Sequence, residues 1–570
     1  MLLFMMNAVF CETLVVNSMD WRSVFLGMEY AHYMGYDINF ISSPYQAGSL
    51  ALTLPKTNVT VLEMKDPIMP GYSQYLRNMH GIYSSELKFR DSADFQEYLM
   101  DTFQPKVLFF VSEAEPENAV ISLPIAYKKN GFVFFQQNSL IGRMGEVNLI
   151  YLVGNIRRDF RRNVLSVSTV LDTIVEVVNE ESPYSNSLHF LNMWGRTNEV
   201  ILTSGDILEK TIFEAEMPVL LVGVRDYSAG FIDTLHEKGI DKVFLIGSKL
   251  LQVGSKIRED SSRTIFPLIK YGESKVMGGA SQVNALTVYE LPIPTPVLNF
   301  TRVVYDPAAK KLYVTLWNLG DGISKTMGVH PVMSEGKVVA TVRDDDVFTI
   351  WPGEEVTTSY SVDLSSYRPE SLSAILSARF GRYKDFMVDY IEDEKPVEVR
   401  RVGDRSEIEV TKATYDGTYI RIFVDNIAPV DVYVGGYVQL ELDGATQDLL
   451  LPTTRIPYGK SATLRTKVDM TREEADSNHI VNVILRHGEQ SDLMIKYTEA
   501  QVEMEQVRIN LALFLIPVAV LLLLLLAIVV ADHLRRRRYY RVSRKIKEVR
   551  RRTFKKPLRY RKPLKRIRRK

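Results

Sequence analysis

Three stretches in the first half of the chain repeat one pattern of apolar and polar positions. Each begins with a short apolar run and a polar turn, continues through a helical stretch, and returns to further apolar runs; the first runs begin at Thr13, Val107 and Val200. Strands that alternate with helices at this spacing form parallel sheets with helices on both faces, because right-handed crossovers return each strand to the same direction. The pattern therefore predicts an α/β head of three small Rossmann-like repeats, over 12–104, 105–196 and 197–290.

The pattern changes after the third repeat. Helical periodicity gives way to strands of alternating polarity, such as Lys311–Asn318, separated by turns rich in Gly, Asp and Pro. About seven such strands in about 100 residues are typical of an Ig-like sandwich. We expect two all-β Ig-like sandwiches, over 296–398 and 405–498, and a helical lead-in over 498–507.

One long apolar run lies near the C-terminus. Residues 511–531 contain no charged side chain, and about 20 apolar residues suffice to cross the hydrocarbon core of a bilayer. Four basic residues flank the run on its C-terminal side: Arg535, Arg536, Arg537 and Arg538. By the positive-inside rule, the sequence predicts a single-pass cell-membrane protein with one transmembrane helix over 511–531, an extracytoplasmic N-terminal region and a basic cytoplasmic tail over 533–570.

Charge divides the chain in the same way. The tail over 533–570 holds 21 of the 70 basic residues and one of the 69 acidic residues, which leaves residues 1–532 with 49 basic and 68 acidic residues, a net charge of −19. A basic cluster beside a membrane helix is typical of binding to anionic lipid headgroups. We therefore expect the lipid bilayer as a partner of the tail and no nucleic-acid partner.

The N-terminal residues 1–11 form a candidate signal segment. The run is apolar, but it lacks a basic n-region and a small-residue cleavage site, so a first buried strand stays an alternative. The single cysteine, Cys11, excludes an intramolecular disulfide and a zinc site built from cysteines.

The second and third repeats carry a resemblance to a known family. The stretch from Ser112 to Ala126 (SEAEPENAVISLPIA) and the turn Ser204-Gly205-Asp206 resemble the type 2 cell-wall-binding repeat of surface proteins, and the sandwiches resemble cell-adhesion-related domains. This chain departs from the family in lacking a full Pro-Asp-Ala-Leu helix start and in its short third helix. The resemblance implies a triple-repeat head that binds cell-envelope polymer or surface-layer (S-layer) proteins.

Three polar residues are the candidate ligand-binding residues. Asp20, Asn118 and Asp206 follow the first strand of each repeat, and open α/β sheets bind ligands at the carboxyl ends of their strands. The alternative is structural, since such residues also cap helices. Asn58 and Asn299 begin glycosylation sequons.

No catalytic pattern stands out in the sequence. The chain lacks a dinucleotide fingerprint, a P-loop and a nucleophile elbow, and its eight histidines are scattered. We expect a non-enzymatic surface protein with no cofactor and no metal site, and a homo-oligomer is compatible with the sequence. The alternatives are a receptor or solute-binding ectodomain of a membrane complex, or a glycan-acting enzyme, which would need paired carboxylates in a cleft.

Overall fold

The computed structural model describes residues 12–506, apart from 215, 278–279, 401–403, 443–444 and 492–493, together with residues 524–531. The chain divides into two compact units. The first unit runs to residue 404 and includes 492–495; the second comprises 405–491 and the residues from 496 onward.

The first unit opens with three α/β repeats. The elements of the first repeat are β1 (Thr13–Asn17), α1 (Trp21–Met34), β2 (Asp37–Phe40), α2 (Pro44–Ala51), β3 (Val59–Glu63), α3 (Tyr72–His80), β4 (Ser84–Lys88) and α4 (Ser92–Phe103). Those of the second are β5 (Val107–Val111), α5 (Glu117–Lys128), β6 (Phe132–Phe135), α6 (Asn138–Ile141), β7 (Leu149–Val153), α7 (Arg158–Leu171), β8 (Ile174–Val178) and α8 (Pro183–Trp194).

The third repeat departs from this plan after its fourth parallel strand. Its elements are β9 (Glu199–Thr203), β10 (Ile207–Leu208), α9 (Lys210–Glu214), β11 (Val219–Leu221), α10 (Phe231–Lys238), β12 (Lys242–Ile246), α11 (Leu251–Asp260) and β13 (Phe266–Lys270). A hairpin and a short strand follow where the other repeats have a fourth helix: β14 (Gly272–Met277), β15 (Ala280–Ala285) and β16 (Tyr289–Glu290).

Each repeat forms a four-stranded parallel sheet in which the first strand is central. The strand orders are β2-β1-β3-β4, β6-β5-β7-β8 and β11-β9-β12-β13. Every residue of β1 is buried, as expected for a central strand covered by helices on both faces. The structure confirms the predicted parallel α/β sheets.

One hydrophobic core joins the three repeats. The ring of Phe25, in α1, lies 5.7 Å from that of Phe135 in the second repeat and 5.3 Å from that of Phe213 in the third. Helix α1 begins at Trp21 because the Asp20 side chain caps its first turn, and it ends at Gly35, which has a φ of 67°. The repeats therefore form a single head.

The rest of the first unit is a β region that encloses its own core. Its strands are β17 (Leu298–Asp306), β18 (Lys311–Asn318), β19 (Ser324–Ser334), β20 (Lys337–Arg343), β21 (Phe348–Ile350), β22 (Glu355–Ser361), β23 (Leu372–Gly381), β24 (Asp389–Pro396) and β25 (Glu398–Val399). One sheet has the order β22-β18-β17-β25, and the other has the order β20-β19-β23-β24 with β21 beside β19. Buried residues such as Phe300, Val314 and Leu376 form the core of this region.

The second unit is built around one seven-stranded sheet. Its elements are β26 (Ile408–Tyr415), β27 (Tyr419–Asn426), β28 (Val432–Leu442), β29 (Ala445–Ile456), β30 (Ser461–Lys467), α12 (Arg472–Ser477), β31 (Ile480–Gly488) and β32 (Lys496–Gln506). The order is β29-β28-β31-β32-β26-β27-β30, and the end strands β29 and β30 lie near each other, so the sheet nearly closes. The predicted helical lead-in over 498–507 is wrong, because Lys496–Gln506 pairs with β31 and β26 as a strand.

The predicted location as a single-pass membrane protein is contradicted. Within the part of the chain that the structure describes, no helix is both long enough and apolar enough to cross a bilayer. Of the predicted transmembrane helix over 511–531, residues 524–531 are described and are helical, and residues 511–523 lie outside the described residues. The candidate signal segment, the basic tail and Arg535, Arg536, Arg537 and Arg538 lie outside the described residues.

Candidate functional site

The three polar turns that follow the first strand of each repeat lie against one another. Arg22 donates to Asp20 in the first repeat and to Glu113 of the second, where its Nη1 is 2.6 Å from the carboxylate oxygen. A Cβ atom added at Gly205, which has a φ of +80°, would lie 2.9 Å from Glu117 Cγ, so glycine is required where the second and third turns meet. The structure thus brings together the regions that carry the three candidate residues.

Asp20 serves both as a helix cap and as an ion-pair partner. Its Oδ1 accepts from the backbone N–H of Arg22 at 3.0 Å and pairs with the Arg22 Nε at 2.9 Å. This arrangement fits the structural alternative for the residue, although its carboxylate keeps partial exposure.

Asn118 is fully buried. Its Nδ2 donates to Glu115 Oε2 at 2.8 Å, and its Oδ1 accepts from Asn186 Nδ2, in α8, at 3.0 Å. The amide therefore connects α5 to α8, and its side chain is not presented to solvent.

Asp206 is the most accessible of the three candidates. Its Oδ2 lies 3.2 Å from Lys249 Nζ, its Oδ1 accepts from the Ser204 hydroxyl, and its side chain is 31% exposed. The aspartate and the lysine together offer an acceptor and a donor at the carboxyl end of the third sheet.

A short segment joins the third repeat to the first at this edge. The Tyr289 hydroxyl donates to the Met19 carbonyl at 2.6 Å, and the Leu291 N–H donates to the Asp206 carbonyl at 2.8 Å. Leu291 and Pro296, in the proline-rich connection to the β region, are buried. This connection is therefore packed against the protein.

A loop of the β region, residues 382–388, covers the turn of the second repeat. Arg382 forms an ion pair with Glu117, and the Tyr383 hydroxyl lies 3.4 Å from Glu115 Oε1. Asp385 accepts hydrogen bonds from Ser182, the N-cap of α8, at 2.6 Å, and from Ser185.

An aromatic contact completes this covered surface. The Phe386 ring stacks on Tyr184 with a centroid separation of 4.8 Å and an interplanar angle of 13°. The loop thus holds the head through charged, hydroxyl and aromatic contacts at once.

A pocket of about 300 Å³ lies where this loop, the Leu291–Pro296 connection and the third repeat meet, and we call it the junction pocket. Its charged and aromatic lining includes Glu117, Asp206, Lys249, Arg382, Tyr383 and Asp389. Acids, bases and a phenol therefore face one small volume at the carboxyl edge of the head.

The electrostatics differ across the junction pocket. Burial raises the pKa of the Glu117 carboxyl, and the Arg382 guanidinium opposes that rise. Burial also raises the pKa of Asp389, against the opposing charge of Arg225. Among the described residues, one Glu117 oxygen, Oε2, is buried with no hydrogen-bond partner, whereas the Asp206 side chain is partly exposed to water.

Sequence reasoning identified Asp206 but missed the other charged residues of the junction pocket. Glu117 and Arg382 are 265 residues apart, and no spacing rule connects them. The only local signal in the sequence was the cluster of three glutamates in the SEAEPEN stretch.

The remaining candidates lie away from the junction pocket. Asn58 and Asn299 are both exposed. Across the described residues, no group of three or more His, Cys, Asp or Glu side chains is placed to hold a metal ion.

Neither a protein-family model nor a curated protein sequence matches this chain. Among solved structures, it is similar to Cwp8 from Clostridium difficile, with 12% identity and a TM-score of 0.37 over 44% of this chain and 48% of Cwp8. Cwp6 from Clostridium difficile matches with 11% identity and a TM-score of 0.26 over 32% of each chain. The E. coli chaperone DraB matches with 16% identity and a TM-score of 0.14 over 36% of this chain and 96% of DraB.

The chain therefore spans about half of Cwp8 and a third of Cwp6. Likenesses at these identities and TM-scores do not establish a family. The three parallel α/β repeats agree with the architecture expected for a type 2 cell-wall-binding head, and membership of that family stays a prediction.

Proposed function

We propose that this chain is a non-enzymatic cell-surface protein whose head binds a polyhydroxylated cell-envelope polymer at the junction pocket. The observation that carries the proposal is the position of Asp206 and Lys249, a partly exposed acceptor and donor beside a pocket at the carboxyl edge of the third sheet. Sugar hydroxyls both donate and accept hydrogen bonds, so a wall that mixes carboxylates with ammonium and guanidinium groups suits them.

The pocket's size also favours a short stretch of polymer. A volume of about 300 Å³ is at the lower end for small-ligand pockets and fits a single sugar unit better than a large cofactor. Affinity for a polymer would then come from many copies of the protein, each with a weak contact, because linked weak contacts raise the effective concentration.

The test is retention of the full chain on purified envelope from the source cells. We compare the wild type with Asp206→Asn/Lys249→Ala and with a matched control, Asp233→Asn/Lys238→Ala, which changes an acid and a lysine on α10 of the same repeat. We expect the first variant to lose at least about tenfold in retention and the control to bind as the wild type, a difference of about 1.4 kcal/mol.

Two outcomes would overturn the proposal. Equal retention of all three proteins would remove the junction pocket as the binding site. Release of reducing ends from the envelope, abolished by Glu117→Gln, would make the chain a glycan-acting enzyme that uses the carboxylates of the pocket.

A further inference from the structure

The first two repeats each close with a helix that packs on the edge strand of the next repeat. In α4, Gln96 Oε1 accepts from the backbone N–H of Phe135, in β6, at 2.6 Å. In α8, Ser187 Oγ accepts from the backbone N–H of Leu221, in β11, at 3.4 Å. The closing helices therefore supply acceptor oxygens to outward-facing amides of the edge strands.

In the described part of the third repeat, no such helix follows the fourth strand to pack on the first repeat. After β13 the chain turns into the hairpin β14–β15, and the edge strand that corresponds to β6 and β11 is β2. The N–H groups of Asp37 and Ile41 donate to Glu12 and Val16, on the β1 side. Because successive residues of a strand alternate in direction, the N–H groups of Ile38 and Phe40 face away from β1.

A pocket of about 420 Å³ opens beside β2, and we call it the open slot. Ile38 and Phe40 line it, together with the polar side chains of Asn39, Gln46 and Thr53 from the first repeat. The slot thus lies along the edge strand that lacks a closing helix.

Two lysines from the third repeat give the open slot its charge. Lys210 and Lys270 line it, with Asp37 as the facing acid. Lys270 donates to Glu209 at 2.7 Å, and Glu209 is fully buried behind it. The lining therefore has two cations and one carboxylate, beside a strand edge at which the N–H groups of Ile38 and Phe40 face away from β1.

We propose that the open slot binds a carboxylate-bearing saccharide, whose oxygen atoms take the place of the side-chain oxygens that α4 and α8 supply elsewhere. The carboxylate lies toward Lys210 and Lys270, and the ring hydroxyls meet the amide and hydroxyl groups of Asn39, Gln46 and Thr53. This site is separate from the junction pocket and does not depend on the proposed function.

The experiment is calorimetric titration of the full chain with glucuronate, with glucose as the neutral match and inorganic phosphate as the non-sugar anion. We expect saturable glucuronate binding and at least about tenfold weaker binding of glucose and phosphate. Glucose lacks the carboxylate and so loses the charge-assisted hydrogen bond, and phosphate lacks the ring hydroxyls and so loses their contacts. Equal affinity for all three, or no binding of glucuronate, would overturn the proposal.

Variants locate the site and separate it from the junction pocket. Lys210→Gln should weaken glucuronate binding about tenfold, and Lys210→Arg should retain it, while Lys238→Gln on α10 serves as the matched control. Thermal unfolding of each variant checks that the fold is kept. Asp206→Asn/Lys249→Ala should bind glucuronate as the wild type does; loss of binding in that variant would refute a separate site.

Discussion

The turns of the second and third repeats begin from the same sequence plan and end in different surroundings. In the second repeat, Asn118 is fully buried and Glu117 is covered by Arg382. In the third, Asp206 remains 31% exposed beside Lys249. A repeated turn therefore need not keep one environment: the turn of the second repeat contacts the β region, and the turn of the third keeps a partly exposed ion pair.

The largest expected effect on stability comes from removing the contact between Arg382 and the turn of the second repeat. Arg382→Ala leaves the buried Glu117 carboxylate without its ion-pair partner, and we expect a loss of about 3–5 kcal/mol in the free energy of unfolding of the first unit. Tryptophan fluorescence during denaturation measures it, since all four tryptophans, Trp21, Trp194, Trp317 and Trp351, lie in that unit.

Arg379→Ala is the control for this change. Arg379 is 67% exposed and lies 3.9 Å from Asp226, so its removal should cost less than about 1 kcal/mol. Equal losses in the two variants would mean that the ion pair between Arg382 and Glu117 does not stabilise the turn of the second repeat.

The next effect is at the buried amide. Asn118→Ala removes hydrogen bonds to Glu115 and from Asn186, and should lower the free energy of unfolding by about 1–3 kcal/mol. Asn163→Ala, at an exposed position on α7, should change it by less than about 0.5 kcal/mol. An equally small effect at Asn118 would show that its buried hydrogen bonds do not stabilise the fold.

A smaller effect should appear in the pH dependence. Burial raises the pKa of Glu117 above its ordinary value of 4.5, so the folded protein holds this proton more tightly than the unfolded chain does. The contribution of the group to stability is therefore full below pH 4.5 and is lost as the pH rises through the folded pKa.

Comparison with Glu117→Gln isolates this contribution. The free energy of unfolding of the wild type should fall relative to that of the variant as the pH rises from 4.5 to 7, followed by tryptophan fluorescence. A rise over the same interval would contradict the direction of the pKa shift.

The smallest expected effect on stability is at the turn of the third repeat. Asp206→Asn should change the free energy of unfolding by less than about 0.5 kcal/mol, because its ion pair with Lys249 is exposed and screened. A loss above about 1 kcal/mol would place the third turn beside the second as a structural element and end the distinction between them.

The sequence predicted the central strands well because burial on both faces leaves a continuous apolar run. Val107–Val111 and Lys242–Ile246 are strands where expected. The fourth strands were not predicted, because they lie at sheet edges. For example, β4 has the sequence SSELK and carries no such run. The segment Lys496–Gln506 was wrongly predicted as a helix because its Glu, Gln and Met residues favour helices. In the structure its alternate side chains are exposed, as in a strand.

The candidate site was only partly accessible to sequence reasoning. Local order places Asp20, Asn118 and Asp206 at strand ends, and this needs no tertiary knowledge. That Asn118 is buried while Asp20 and Asp206 stay partly exposed depends on tertiary contacts, among them those of the loop over 382–388 and the connection over 291–296. Such contacts depend on tertiary packing, which one sequence does not reveal.

The hydrogen bond from Tyr289 to Met19 can form only late in the synthesis of the chain. The two residues are 270 positions apart, and translation at roughly 5–20 residues per second separates their synthesis by roughly 15–50 seconds. After α4 ends at Phe103, the first repeat is complete in sequence but still lacks the later segment that contacts its polar turn. A nascent chain that stalls before Tyr289 therefore leaves the first repeat without the hydrogen bond that the Tyr289 hydroxyl donates to the Met19 carbonyl.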